Sequence, residues 1–489
     1  MKKKISFILI IVILAALCGL LTACKKAEAA PYCVAFDGDV QDGLVSVDLN
    51  GIAQEKYSYA DDSATVEAEG WNLNDVLKKA NMLYAENRLM ITGTDGTSVL
   101  IEARLTGKLY LYKNDNNELC ARGVDYPRST GIKGISEITV VTKENATNGY
   151  KILSSDNIEY VSRGNAKLFL FTLTATNNVG DNYAWKYLPS DNADRNVSHF
   201  TERDKNVVYF KDYDYVKNAD YNILNWKTGG LTCSYGETAK EVYGFATGTD
   251  IMVSDAYYEM KAALDANKKV MLILPDGFSW EQANAFSPPS DGQSTQPLSL
   301  LNVLNAQKAL STHLSISPVA LAAIVTGKTP YENGVHFDEG ESRRIITPKV
   351  QDIFKYATDK GKSVKYLEGS GNLIGTSVKP VYGTSDEVTY RNAVAAINDD
   401  TDLIFVHFHE TDDENHRSGP LSLSAKNKLL EIEWYIIQLK NQFSGTVIVI
   451  PDHGHNTLTD SDGKIYGQHG MFTNLDMYVP YYIFRQEGN

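Results

Sequence analysis

The chain has 489 residues, 43% of them hydrophobic and 22% charged, which is the composition of an ordinary globular protein. At about 150 residues per domain it is long enough for roughly two to four domains. Its formal net charge of −14 argues against a nucleic-acid-binding face, because phosphate backbones are met by clustered Lys and Arg.

The N-terminus reads as a targeting segment. Lys2-Lys3-Lys4 precede the almost wholly apolar Ile5 to Leu21. Leu21-Thr22-Ala23-Cys24 resembles the lipobox of bacterial lipoproteins. That resemblance implies that residues 1–23 are a signal peptide and that Cys24 is lipidated. The mature chain would then be exported and held at the cell membrane or surface. A plain transmembrane anchor is the alternative, and the small residues before Cys24 favour the lipobox. Residues 24–33 follow as a tether. With Cys18 in the signal and Cys24 lipidated, Cys33, Cys120 and Cys233 remain. Their spacing matches no zinc motif and three cannot all pair, so they are expected buried or free.

Residues 34–145 read as an α+β accessory domain. Val45–Leu49 alternates like a strand, and Trp71–Ala80 carries apolar residues at helical spacing. Leu89–Thr92 and Ile138–Val141 are further strands, the first followed by the turn signal Asp95-Gly96. Gly70-Trp71-Asn72-Leu73, Thr94-Asp95-Gly96 and Ile132–Ile138 are similar to the fold of molybdopterin-binding oxidoreductase domains. The cofactor's cysteine would have to be Cys120 and no basic pocket is evident, so no such cofactor is expected. Lys143–Gly149 is a polar, turn-rich boundary. Residues 146–265, rich in Tyr, Asn and Asp, read as a β-rich module with Lys167–Thr174 as its clearest strand.

From residue 266 to 489 strands and helices alternate. Strands are expected at Val270–Leu274, Val364–Leu367, Leu403–Phe408 and Val447–Ile450. Helices are expected near Leu298–Leu310, after Ser317, near Val350–Thr358 and around Leu429–Phe443. This is the rhythm of an α/β, doubly wound, mostly parallel sheet. Eight of the nine histidines, all but His199, fall after position 312, which places the chemistry here.

Four loops carry it. Pro275-Asp276-Gly277 ends one strand, and Thr411-Asp412-Asp413-Glu414-Asn415-His416 follows another. Pro451-Asp452-His453-Gly454-His455 ends the third, and His469 stands between glycines in Gly467-Gln468-His469-Gly470. The carboxyl ends of parallel strands are where open α/β sheets bind ligands. Asp276, Asp412, His416, Asp452, His453 and His469 supply three carboxylates and three imidazoles. A catalytic zinc keeps one of its four positions open, so six protein ligands suit two ions. Two ions about 4 Å apart can clamp both oxygens of a phosphoryl transfer.

These motifs, with the Ser317-to-Gly327 helix, resemble the alkaline phosphatase superfamily, closest to its type I phosphodiesterase/nucleotide pyrophosphatase branch. The resemblance spans about residues 266–489. It implies a first zinc on Asp412, His416 and His469, and a second on Asp276, Asp452, His453 and the nucleophile, with Mn2+ or another divalent ion as a substitute. Asp413, Glu414, His407, His409 and His455 are read as supporting or solvated neighbours.

Ser317 is read as the nucleophile. It would cap the apolar helix, with Pro318 as the first helical residue and Gly327 as the stop. Counting back from Thr326-Gly327 by the family's spacing lands on Ser317, whereas counting from Pro318 lands on Ile316, which has no nucleophilic atom. Ser315 is the other candidate. The branch usually has Thr as nucleophile and an Asn soon after, where this chain has Ser317 and Val319 or Ala320. A sulfatase would need Cys/Ser-x-Pro-x-Arg; the Arg is absent and Pro318 is displaced by one. The expected function is therefore phosphoester hydrolysis through a phosphoserine, on a small phosphoester or an envelope component, with mono- and diester both open. The alternatives are an envelope phospho-alcohol transferase and a non-catalytic binding lipoprotein.

Overall fold

The computed structural model describes residues 32–485, except 62–63, 193, 218–221, 228, 236–237, 289–296, 337–344, 370 and 372. Residues 1–23, read from the sequence as a signal peptide, and Cys24 lie outside the described residues. The described residues form two units: those of 32–147 with 162–191, and those of 148–161 with 192–485. This differs from the three consecutive blocks read from the sequence. The Tyr150–Ser154 strand pairs with Thr238–Thr247 in the second unit, whereas Asn182–Pro189 pairs back onto Ser98–Glu102 in the first.

In the first unit, one sheet runs in the order Phe171–Val179, Asn182–Pro189, Ser98–Glu102, Asn87–Gly93, Ile135–Thr142, Cys33–Gly38 and Leu44–Asp48. A four-stranded sheet of Glu55–Asp61, Ala64–Asn72, Leu109–Lys113 and Leu119–Gly123 shares its apolar core, where Trp71, Leu111 and Ala121 meet Phe36, Leu89 and Ile138. Two expectations need correction. Trp71 and Asn72 end a strand, and Asn72 caps only the short helix Leu73–Leu77. Lys167 and Leu168 belong to the helix Arg163–Leu168, capped by Ser162, and the strand starts at Phe171. The capping side chain and an inward-turned Lys167 override local β propensity there. Cys33, Cys120 and Cys233 are all free, the last two buried.

The second unit is built on a seven-stranded sheet, ordered Gln307–Leu310, Tyr478–Arg485, Thr446–Val449, Val270–Pro275, Leu403–Phe408, Val364–Glu368 and Val381–Tyr382. The five strands from Thr446–Val449 to Val381–Tyr382 are parallel, and Tyr478–Arg485 is antiparallel to both of its neighbours. Alternate residues of the central strands face opposite layers. Leu272, Leu274 and Phe405 meet the helices Asp255–Asp265, Ser317–Thr326 and Ile353–Asp359. Met271, Ile273 and Val406 meet Asp386–Asn398 and Leu423–Gln442. Burial on both faces is why these strands are uninterrupted apolar runs. The fold is a doubly wound α/β sheet with helices on both sides.

The helix expected near Leu298–Leu310 does not form; turns lead into the strand Gln307–Leu310. Asn302 and Asn305 bind the carbonyls of Leu298, Ser299 and Leu300, and Glu433 takes the amides of Leu300 and Leu301. The asparagine side chains, by taking these carbonyls, compete directly with helix formation.

Within this unit a second sheet, including Asn206–Phe210 and Thr238–Thr247, packs on the doubly wound one through Val207, Tyr209, Ala246, Leu310, Phe472 and Tyr478. The buried Tyr478 hydroxyl accepts from Thr247 N–H at 3.0 Å. Among the described residues no helix is long and apolar enough to cross a membrane.

Candidate active site

Three adjacent parallel strands end at one level and deliver the loops together. Val270–Pro275 leads to Asp276, Leu403–Phe408 carries His407 and runs into His409, and Thr446–Val449 leads to Asp452 and His453. Asp412 and His416 lie four apart on the helix Glu410–Ser418, so they share a face. Their Oδ2 and Nε2 atoms are 3.4 Å apart.

Gly277 makes the convergence possible. Its φ of +69° is a backbone conformation that L side chains rarely adopt, and a Cβ there would lie 2.5 Å from His455 Cε1 and 3.0 Å from Asp412 Oδ1. Its carbonyl accepts from Asn415 Nδ2 at 2.9 Å and His455 Nδ1 at 3.1 Å, and Gln282 holds Asn415 in turn.

Four imidazoles follow one rule. His416 Nδ1 donates to Gly467 O at 2.9 Å, and His453, His455 and His469 donate from Nδ1 to Gly454 O, Gly277 O and Ser315 O at 3.1 Å each. A carbonyl only accepts, so each ring carries a proton on Nδ1 and turns Nε2 toward the centre. Those Nε2 atoms face carboxylate oxygens. His455 is 3.1 Å and His469 3.6 Å from Asp412 Oδ1, and His453 is 3.5 Å from both Asp276 Oδ1 and Asp452 Oδ2. Asp412 Oδ1, Asp452 Oδ2 and His455 Nε2 are buried without a hydrogen-bond partner. Lone pairs set against lone pairs at this range repel unless cations or protons lie between them. Burial, reinforced by His469, holds His453 well below the usual imidazole range, and burial lowers His469 as well, which disfavours protons. A divalent cation fits this donor set, and carbonyl-oriented imidazoles are the usual support of metal ligands.

The ligand atoms form overlapping clusters within 4.8 Å: Asp412 with His416, His455 and His469, and Asp276 with Asp412 and His453. Of the six residues proposed as ligands from the sequence, Asp276, Asp412, His416, His453 and His469 fall in these clusters and Asp452 does not. Asp452 Oδ1 instead accepts from the Gly277 and His453 amides. Burial and the neighbouring Asp276 push its carboxyl well above the usual range. His455, read from the sequence as a neighbour, belongs to the first cluster. The signal was its two-residue spacing from His453, which alone cannot tell a ligand from a bystander.

Ser317 is the first helical residue and not the cap, which is Ile316 with no capping side chain. Helix geometry turns the hydroxyl inward, 3.0 Å from His453 Nε2 and 3.4 Å from Asp276 Oδ1. Ser315 donates instead to Met471 O. Only Ser317 faces the cluster.

Behind Asp276 lies a chain in which the sequence marked His407 and His409 only as neighbours and Glu368 not at all. His407 is fully buried, with Nε2 3.0 Å from Asp276 Oδ2 and Nδ1 2.7 Å from Glu368 Oε1. Burial opposes charge on this imidazole, but Glu368 and Asp276 outweigh it and raise it well above the ordinary value. His409 Nδ1 meets the same Asp276 oxygen at 2.7 Å. For Asp276 burial works upward, but the bonds from His407 and His409 win and hold the carboxyl well below the usual range. Asp276 Oδ2 is committed to imidazoles while Oδ1 faces Ser317. His313 and His336 do not join the centre; they stack on Tyr243 and Tyr213, and burial lowers His313 to about 4.

No protein-family model matches the chain, and no curated protein matches it. Solved structures do. Murine ectonucleotide pyrophosphatase/phosphodiesterase 5 is similar over 40% of this chain and 59% of its own, at 17% identity and a TM-score of 0.30. Phosphonoacetate hydrolase from Sinorhizobium meliloti matches over the same shares at 15% identity and 0.31. The C-terminal periplasmic domain of the phosphoethanolamine transferase EptC from Campylobacter jejuni matches over 44% of this chain and 79% of its own, at 14% and 0.32. The chain thus spans less than two thirds of the first two. These likenesses are slight, and the chemistry below rests on the site's own geometry.

Proposed function

We propose that the chain is a two-metal phosphoester hydrolase of the alkaline phosphatase superfamily, with Ser317 as nucleophile and zinc as the resident ion. The observation that carries this reading is the set of four Nδ1-anchored imidazoles whose Nε2 atoms converge with Asp276 and Asp412 beside the Ser317 hydroxyl. Asp412, His416 and His469 would hold one ion, with His455 against Asp412, and Asp276, Asp452 and His453 the other. Bound there, the ions supply Lewis acidity that lowers the serine hydroxyl's pKa and neutralises charge on the phosphoryl oxygens.

The chain's own residues do the rest. Ser317 sits at the positive end of a ten-residue helix, where amides and dipole favour an incoming phosphoryl group. His407 and His409 hold Asp276 so that only Oδ1 faces the nucleophile. Attack by Ser317 Oγ on phosphorus gives a phosphoserine and expels the alcohol; water then attacks that phosphorus and restores the hydroxyl. Export and tethering through a lipid on Cys24 complete the proposal, and its substrate is a phosphoester outside the cytoplasm.

The test is a screen of phosphomonoesters and phosphodiesters on zinc-replete protein, with metal analysis of the same sample. Two ions per chain, turnover of one ester class and loss of both on chelation are expected. A well-folded preparation holding one ion or none refutes the paired site.

A further inference from the structure

The first unit contains a buried group of charges unrelated to the metal centre. Asp37 on the strand Cys33–Gly38 and Thr139 on Ile135–Thr142 are register partners in a parallel pair. Glu137, two residues before Thr139, therefore lies on the same sheet face as Asp37. Phe36 and Ile138 point the other way, into the main core. The helix Arg163–Leu168 lies on the Asp37 face, with its backbone pressed against the strands. A Cβ added to Gly164 would come within 2.1 Å of Val140 O. From the last turn of this helix the Lys167 side chain is driven inward. Its Nζ lies 2.6 Å from Asp37 Oδ2 and 2.6 Å from Glu137 Oε1. Lys167 and Asp37 are each only 2% exposed.

An ammonium held between two carboxylates in such a place carries a desolvation cost that mutual attraction repays only in part. Condensation of the amine with one carboxylate removes both charges and releases water to bulk. The arrangement has the parts for that step. It has an amine in contact with a carboxyl group, both shielded from solvent, and a second carboxylate on the amine, Glu137 at 31% exposure, to move protons.

We propose that Lys167 and Asp37 join in an intramolecular amide bond, with Glu137 as the proton carrier. The ammonium passes one proton to the Asp37 carboxylate, and Nζ attacks Cγ. Glu137 accepts a second proton from nitrogen and returns it to the departing hydroxyl. The C–O bond breaks, the N–C bond forms, and one water leaves. The net charge is −1 before, on one ammonium and two carboxylates, and −1 after, on Glu137 alone, so no oxidant or other co-reactant is needed. The product ties the first strand to a helix 130 residues later, a link that the free Cys33, Cys120 and Cys233 do not make by disulfide.

Proteolytic digestion of the full-length protein followed by tandem mass spectrometry tests this. A linked pair of peptides carrying Asp37 and Lys167, lighter than their sum by one water, is expected. Glu137→Gln and Lys167→Arg should each abolish the pair, with folding checked by circular dichroism. Asp37→Asn should still link, now with loss of ammonia. Recovery of both peptides unlinked at their full masses overturns the proposal. So does a water loss confined to the peptide containing Asp37-Gly38, which would be a succinimide.

Discussion

Gly277→Ala tests whether the site is held together from its centre. The new Cβ would lie 2.5 Å from His455 Cε1, whereas ordinary contact begins near 3.4 Å, so the ring or the loop must move by about 0.9 Å. His455 has no free side to move into: it is fully buried, and its Nδ1 is bonded to the carbonyl of the substituted residue. Two separable costs follow. The positive φ adds about 1–2 kcal/mol of strain, and loss of the Nδ1–carbonyl bond adds roughly 1 kcal/mol. The larger effect is on function, because a displacement of about 1 Å at a catalytic constellation costs on the order of 100-fold in rate. Gly361→Ala is the control. Its φ is +73° and nothing lies within 4 Å of its Cβ, so it carries the strain without the collision. Both variants should lose a few degrees of Tm, at roughly 2–4 °C per kcal/mol. Only Gly277→Ala should lose bound metal and about two orders of magnitude in kcat/KM. Equal metal content and equal activity in the two variants would refute the reasoning.

Other outcomes follow from the same geometry. Ser317→Ala should abolish turnover while both ions stay bound, and Ser315→Ala should leave most activity; phosphate trapped on Ser315 would reverse the assignment. Asp412→Ala and His469→Ala should each deplete one ion more than the other, and Asp452→Ala the opposite one, read by metal analysis. In chelated protein, burial raises the Asp476 carboxyl to about 7, against 3.8 for the ordinary group. The folded state then binds more protons than the unfolded one, so stability should fall as pH rises from about 4 to about 7. Asp476→Asn should flatten that slope in melts taken across the range; an unchanged slope would assign it elsewhere. Cys24→Ser should release the chain from membranes or leave its precursor uncleaved, and a mature, lipid-labelled variant would exclude Cys24 as the anchor.

The alternating pattern from Val270 onward was enough, without coordinates, to read a doubly wound sheet. Strands buried on both faces must be apolar throughout, and a carboxylate or imidazole directly after such a run stands at the carboxyl end of the strands. Asp276, Asp452 and His453 were legible for that reason, and Asp412 with His416 because four residues make one helical turn. Local signals failed where side-chain contacts decided the backbone. Asn302 and Asn305 occupy carbonyls that a helix over Leu298–Leu310 would have used. Lys167 is drawn toward Asp37, from the other end of the first unit's sequence.

What only the tertiary structure decided was orientation. Sequence spacing does not say which imidazole nitrogen meets a carbonyl, so it could not separate His455 from His313, which stacks on Tyr243 instead. It could not show that Ser317 turns inward while Ser315 binds Met471 O, because the two differ by less than one helical turn. Nor could it show Glu368 behind His407, since that contact joins neighbouring strands far apart in the chain. Residue type and spacing determine which chemistry is available. Register and side-chain direction, which depend on the whole packed fold, determine which atoms meet.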